Sequence, residues 1–164
     1  MIQNFDAHLQ VTLRALEEVV APALGGAEKH VVEQLMLSIA SIGFVKTRLP
    51  EARRFYRMEL RSCIELAGES ARIAGAVDAM STALDTAKSA LADPEADNAE
   101  FEAASRRLRD DVTALSYASV GHPYQKQLEA FILEKSDALV IQYRLWGLPF
   151  GFELKPETLP APIW

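Results

Sequence analysis

The strongest constraint on the fold of this chain is the spacing of its apolar residues, which recur at steps of three and four in one segment after another. The pattern is clear at Phe101, Ala104, Leu108, Val112 and Leu115. Such spacing places the side chains on one face of an α-helix. No stretch alternates apolar and polar residues as a half-buried strand does, so we expect no β-sheet. The spacing therefore predicts an all-α protein.

Proline and glycine residues divide this pattern into a single-domain bundle of about five helices. The first two predicted helices cover residues 4–20 and 27–46. A third begins at Pro50 and Glu51 and would reach residue 91, a length of roughly 60 Å at 1.5 Å per residue. Whether residues 51–91 form one helix or two stays open, with a break near Gly68 or Gly75 favoured.

Two further helices complete the predicted bundle. Asp97, followed by Glu100 three residues later, has the spacing of a capping box and should begin the fourth helix. The fifth helix should follow the break at Gly121-His122-Pro123 and run to about Trp146, where Gly147 stops it.

The second helix contains LMLSIASIGFV, residues 35–45, which carries no charge on any side. A helix that is apolar all round is typically buried at the centre of a protein. We therefore expect this helix to be central and buried.

The last twenty residues, 145–164, hold four of the eight prolines and both tryptophans. Prolines remove hydrogen-bond donors and favour an extended backbone. The predicted organisation is a helical bundle over residues 1–147 and an extended Pro/aromatic C-terminal tail over 148–164. The tail contains many apolar residues, so we predict that it packs either against its own bundle or against a second subunit. Four aromatic residues are candidate interface residues: Trp146, Phe150, Phe152 and Trp164.

Composition bounds the class of protein. A chain of 164 residues is expected to form one domain. Its net charge of −6 argues against nucleic-acid and anionic-membrane partners. The longest nearly uncharged run, Gln34 to Val45, is too short to span a bilayer. A lone cysteine, Cys63, predicts a reducing, cytoplasmic location and a small core residue.

The sequence contains no motif that identifies a catalysed reaction. It contains no nucleophile elbow, phosphate-binding glycine loop or dinucleotide fingerprint. The three histidines lie on separate segments without a second histidine at helical spacing, so no metal site is predicted. We therefore predict no cofactor and no catalytic residue, and we lean against an enzyme.

The segment KTRLPEARRFYRMELR, residues 46–61, concentrates positive charge at +4, against −10 for the rest of the chain. Arginine guanidinium groups near the start of a helix can bind phosphate or carboxylate groups through paired hydrogen bonds. The candidate anion-binding residues are Arg53, Arg54, Arg57, Arg61 and Tyr56. Two other interpretations stay open: a solvated face with local ion pairs, or pairing with the acidic turn around Asp93, Glu95 and Asp97 of the same or another subunit.

Residues 13–52 resemble a family of small bacterial helical proteins of unknown function. The resemblance rests on Val20, Pro22, Ala23, Leu24, Gly26 and His30, which match a turn between two helices. Members are often encoded beside acyl-CoA dehydrogenase and small-molecule phosphotransferase genes. The resemblance implies an accessory role near acyl-CoA metabolism and brings no catalytic residues with it.

These observations favour a non-catalytic accessory or interaction protein that forms a homodimer. The alternative is a protein, or an enzyme, that binds a phosphate- or CoA-type anion on the Arg53–Arg61 face. A protein partner or an anionic small molecule is therefore expected.

Overall fold

The computed structural model describes residues 4–164, which fold into helices and contain no strand. The predicted all-α class is confirmed. Six longer helices follow one another along the chain: α1 Phe5–Arg14, α2 Lys29–Arg48, α3 Ala52–Ala74, α4 Val77–Ala92, α5 Asn98–Ala118 and α6 Gln125–Gly147. The helices and the tail belong to two compact units. Of the described residues, the first unit comprises 4–50 and Arg144–Leu159, and the second comprises Glu51–Tyr143 and Pro160–Trp164.

Helix α1 begins at a cap, because the side chain of Asn4 accepts a hydrogen bond from the backbone N–H of Asp6. A π-helical segment, Ala15–Val20, and a last turn, Ala21–Ala23, continue it. The predicted end at Val20 is therefore three residues short. A π turn is wider than an α turn, which gives the Pro22 ring room beside the preceding carbonyls.

Helix α2 departs from the prediction that it is central and buried, since none of its residues is buried. Val32, Leu35 and Ile39 form a half-buried stripe at steps of three and four. Leu37 and Val45, on the other side, stay about half exposed at 52% and 46%. An uncharged sequence allows a helix to be buried, but burial also requires other elements to pack over it, and most of α2 is not covered in this way.

The core of the second unit lies between α3, α4 and α5. Leu60 and Cys63 of α3 are completely buried, as is Phe101 of α5. Cys63 is thus the core residue that the sequence predicted. Small residues such as Ala67 and Ala87 complete this core, and they let the helix backbones approach closely.

The predicted break between residues 51 and 91 and the predicted capping box are confirmed, whereas the third helix begins at Ala52, after a 3₁₀ turn at Leu49–Glu51, rather than at Pro50. Helix α3 ends at Gly75, whose φ of 67° lies in the left-handed region that glycine adopts without strain. This settles the open question over residues 51–91 in favour of two helices. Asp97 and Glu100 form the complete capping box that begins α5.

The C-terminal tail contains no α-helix, but two short 3₁₀ turns interrupt its extended course, at Leu148–Phe150 and Pro156–Thr158. Arg144 binds Glu153 through two parallel hydrogen bonds of 2.9 and 2.8 Å. Arg48 donates to the carbonyl oxygens of Leu145 and Trp146, at the carboxyl end of α6. A cation at the end of a helix is favoured by the helix dipole, so Arg48 stabilises the point where the tail departs.

Among residues 4–164, no helix is long and apolar enough to cross a membrane.

Candidate functional site

A buried carboxylate in the second unit brings together side chains from α3, α5 and α6. Glu59 of α3 is only 5% exposed. Arg109 of α5 places Nη1 2.6 Å from Oε1 of Glu59. The hydroxyl of Tyr143, on α6, donates to the same oxygen at 2.5 Å. We refer to Glu59, Arg109 and Tyr143 as the polar cluster, which connects three helices through residues far apart in sequence.

The local sequence explains why Glu59 faces inward. Phe55 and Cys63, one helical turn to either side, are both buried, so the face of α3 that carries Glu59 is a core face. An isolated buried carboxylate is costly unless a cation and hydrogen bonds compensate it. Arg109 and Tyr143 supply that compensation. Burial, followed by the hydrogen bond to Glu59, raises the pKa of Tyr143 far above its usual range, so the phenol stays protonated.

Cys63 lies against the polar cluster, with its sulfur 3.8 Å from Nη1 of Arg109. Burial raises the pKa of the thiol and outweighs the opposing charge of Arg109. A buried, protonated thiol is a poor nucleophile. The arrangement is therefore better suited to holding and binding groups than to covalent chemistry at sulfur.

A cavity of about 260 Å³ borders the polar cluster, and Arg109 and Tyr143 form part of its wall. Most of the remaining wall is aliphatic, from Leu66, Val112, Ile132, Leu139 and Val140. The hydroxyl groups of Thr113 and Ser136 are the other polar features of the lining. Few polar groups on an aliphatic wall are typical of a small-molecule pocket.

Among residues 4–164, the side-chain contacts of the Arg109 guanidinium involve one nitrogen, Nη1. Nη1 makes its contacts to Glu59, Tyr143 and Cys63. Within residues 4–164, Nε and Nη2 of Arg109 have no hydrogen-bond partner. These two donors form one edge of the guanidinium fork, the edge that takes a carboxylate in the bidentate mode.

The predicted anion-binding residues lie in different surroundings. Arg53 donates to the backbone carbonyl oxygens of Ala96 at 2.6 Å and Pro94 at 2.7 Å. It thus meets the acidic turn through main-chain oxygens rather than carboxylates. The guanidinium groups of Arg53 and Arg57 also lie over the ring of Phe101, at 5.3 and 5.5 Å from its centre.

Arg57 and Arg61 line an open groove of about 440 Å³ together with Lys88 and one acid, Glu65. We refer to it as the basic groove. Arg54 is exposed and does not line the groove. Tyr56 is half-buried with its ring edge against Phe55. Two of the five candidates thus line the basic groove, together with Lys88, which was not predicted.

The candidate interface aromatics fall in both units. In the first, Phe150 stacks on Phe44 with 4.4 Å between ring centres, and Phe152 stacks on Phe150 at 6.0 Å. Trp146 meets Phe44 edge-on. Phe152 ends this stack and is 76% exposed.

In the second unit, Trp164 packs edge-on against Phe55 at 5.4 Å. Its indole Nε1 donates to Glu51 at 3.3 Å. The final residue of the chain is therefore held by contacts within its own subunit.

One side of α2 forms an exposed surface without charge. Its members are spaced at steps of one, three and four, and all are exposed: Gln34, Leu37, Ser38, Ser41 and Val45. We refer to them as the α2 face. The hydroxyls of Ser38 and Ser41 donate to the carbonyl oxygens of Gln34 and Leu37, each at 2.8 Å. Both hydroxyl protons are therefore bound within the helix itself.

Glu59, Arg109 and Tyr143 were not predicted as members of a site. One signal was present, since Glu59 interrupts a core stripe between Phe55 and Cys63. An acid at such a position indicates a buried partner. The position of the acid does not indicate which cation pairs with it, because Arg109 is fifty residues away in the sequence.

Residues 4–164 contain no group of three or more side chains placed to hold a metal ion.

The comparisons with known proteins add no relative. No family model matches the chain, and neither a curated protein nor a solved structure matches it. The resemblance over residues 13–52 therefore stays a prediction.

Proposed function

We propose that the protein is a non-catalytic accessory protein that works as a homodimer, with the α2 face at the centre of the contact between subunits. One observation carries this proposal: α2 is uncharged from residue 35 to 45, yet none of its residues is buried. Between residues 4 and 50, Leu13 alone is buried. An apolar surface of this kind marks a site of association.

The exposed side chains supply the apolar centre that a stable interface needs. Such interfaces bury about 800 Å² per partner, with an apolar core inside a polar rim. Leu37 and Val45 form this core on the α2 face, and each is about half exposed. Removing apolar surface from water stabilises association by roughly 25 cal/mol per Å².

The serines make the α2 face suitable for close contact with another helix. Ser38 and Ser41 are small, so they let a second backbone approach. Their hydroxyl protons are already bound to carbonyl oxygens one turn earlier, so burying them breaks few hydrogen bonds to water. These two serines can therefore be covered at a low desolvation cost.

A second copy of this chain is the partner that fits this face best. Each copy carries a net charge of −6, so the repulsion between two copies is weakest where the surfaces that meet carry no charge. A two-fold axis through the α2 face would place uncharged surface against uncharged surface. A partner selected by charge would instead need charged groups on the face.

Leu37→Glu tests the proposal when compared with Leu133→Glu. Both leucines are largely exposed, at 52% and 65%, but Leu133 lies on α6 and not on the α2 face. By symmetry, Leu37→Glu places two carboxylates in the interface. Sedimentation equilibrium at tens of micromolar should show dimers for the wild type and Leu133→Glu, and monomers for Leu37→Glu. A monomeric wild type, or equal dimerisation by the two variants, contradicts the proposal.

The basic groove favours a second candidate function, the binding of a phosphate- or CoA-type anion. Its support is the grouping of Arg57, Arg61 and Lys88 against one acid in a space of about 440 Å³. Arginine and lysine side chains are the usual partners of phosphate groups. The predicted setting near acyl-CoA metabolism makes CoA esters the first ligands to test.

Thermal-shift measurements with CoA esters, nucleotides and inorganic phosphate distinguish this second function from a solvated charged face. A ligand at a hundred times its Kd adds about 2.7 kcal/mol to the free energy of unfolding. Arg61→Ala with Lys88→Ala should abolish the shift. Arg106→Ala with Arg107→Ala, two exposed cations of α5, should leave it unchanged. A shift that survives the first pair of substitutions counts against the basic groove.

A further inference from the structure

We infer that the cavity beside the polar cluster binds a small monocarboxylate with an aliphatic tail, held by Nε and Nη2 of Arg109. This inference concerns α3, α5 and α6 and does not depend on dimerisation or on the basic groove. It rests on the shape and lining of the cavity, and on the way in which Glu59 fixes the guanidinium.

The polar cluster prepares Arg109 to bind an anion. Glu59 and Tyr143 both contact Nη1 and hold the planar guanidinium in one orientation. A binding group whose position is fixed beforehand loses little conformational entropy when the ligand arrives. The Nε–Nη2 edge keeps two parallel donors, and a carboxylate offers two acceptors with the matching spacing.

The protonation state of Tyr143 limits what the ligand head group can be. Its O–H is donated to Glu59, so Tyr143 presents no further proton to a ligand. The open hydrogen-bond donors of the polar cluster are therefore those of Arg109. Two donors on a cation favour a carboxylate over an alcohol, which offers one oxygen, or an amine, which is repelled.

The aliphatic wall selects the rest of the ligand. Val112, Leu139 and Val140 line the cavity, and Arg109 is the one charged residue among the described residues that do so. Its volume of about 260 Å³ lies just below the range of roughly 300–1,000 Å³ for drug-sized ligands. A short aliphatic acid fits this space, whereas a nucleotide or a CoA ester is too large and too polar.

Hexanoate is a suitable probe, followed by methyl NMR of the full-length protein. Saturable shifts are expected at the methyl groups of Val112 and Leu139, with a Kd on the order of 1 mM or tighter. Hexanamide has the same tail without the charge and should bind at least about tenfold more weakly. No saturable shift with hexanoate, or equal binding of hexanamide, overturns the inference.

Three variants locate the site. Arg109→Lys keeps a cation beside Glu59 but removes the fork, so hexanoate should bind about tenfold more weakly. Val140→Trp fills the cavity from its half-exposed rim and should abolish binding. Leu133→Trp, also on α6 but outside the cavity, should bind hexanoate as the wild type does.

The folding of each variant is checked by its circular dichroism melt. If Val140→Trp does not fold, Ser136→Leu narrows the same cavity from one helical turn away. Binding that survives both a filled or narrowed cavity and Arg109→Lys overturns the inference. Loss of binding in Leu133→Trp does so as well.

Discussion

At the scale of single residues, a buried carboxylate is stable only with its partners, and Glu59 takes both of its hydrogen-bond donors from other helices. Removing one partner of Glu59 would leave a buried charge without compensation. The stability lost in that way is larger than the net stability that the intact polar cluster contributes.

Arg109→Ala should lower the free energy of unfolding by about 3 kcal/mol, near the lower end of the range for broken buried ion pairs because Arg109 itself is partly exposed. Arg106→Ala is the matched control on the same helix. Its ion pair with Glu102 is exposed and should contribute about 0–1 kcal/mol. Urea denaturation of both variants measures the difference. Equal losses would show that Glu59 does not depend on Arg109.

Tyr143 should make stability depend on alkaline pH. Its pKa is raised in the folded protein by burial and by Glu59, while an unfolded tyrosine ionises near pH 10. The neutral phenol therefore contributes its full stabilisation below about pH 10, and this is lost as the pH rises above that value. Tyr143→Phe should remove this part of the pH dependence. Absorbance titration should show that the variant lacks the tyrosine that ionises last, and an unchanged titration would contradict the assignment.

At the scale of helices, boundaries are set by local chemistry and were therefore predictable. Gly147, which was predicted to stop α6, is instead the last residue of that helix and keeps a right-handed φ of −76°. The capping box at Asp97 depends on residues within one turn of the boundary. The break after α3 is of the same kind. Its position was narrowed by sequence to two glycines, and the backbone distinguishes them, since Gly75 is left-handed and Gly68 lies within the helix.

Two glycine substitutions in this region should have opposite effects on stability. Gly75→Ala forces a side chain into the left-handed region and should cost about 1 kcal/mol. Gly68→Ala lies inside α3, where a Cβ atom meets nothing within 4 Å, and should gain about 0.5–1 kcal/mol. Thermal denaturation of both variants measures the sign. Similar changes in both would show that backbone conformation does not govern this boundary.

The surroundings of a helix were not predictable in the same way. Periodicity shows which residues of α2 share a face, but not whether another element covers it. The polar cluster has the same limit, because its hydrogen bonds join residues 50 and 84 positions apart. The apolar content of α2 and the positive charge of residues 46–61 can be read from the sequence. The exposure of most of α2, and the binding of carbonyl oxygens by Arg53, cannot.

At the scale of the whole molecule, the two compact units differ in how many of their side chains are buried. The second has a continuous core that includes Leu60, Phe101 and Leu108. In the first, few side chains are buried, Leu13 and Leu145 among them. Local stability follows buried apolar contacts, so the first unit should open more readily than the second in an isolated subunit.

Hydrogen exchange at two protein concentrations should reveal this difference. Below the dissociation constant of the proposed dimer, amides of α2 should exchange much faster than those of α3. In the proposed dimer a second copy covers the α2 face, so at high concentration mass action should slow exchange in α2 while α3 and α5 stay unchanged. Leu37→Glu should keep α2 fast at both concentrations, with Leu133→Glu as the control that behaves like the wild type. Equal protection of α2 at both concentrations in the wild type would show that self-association does not stabilise the first unit.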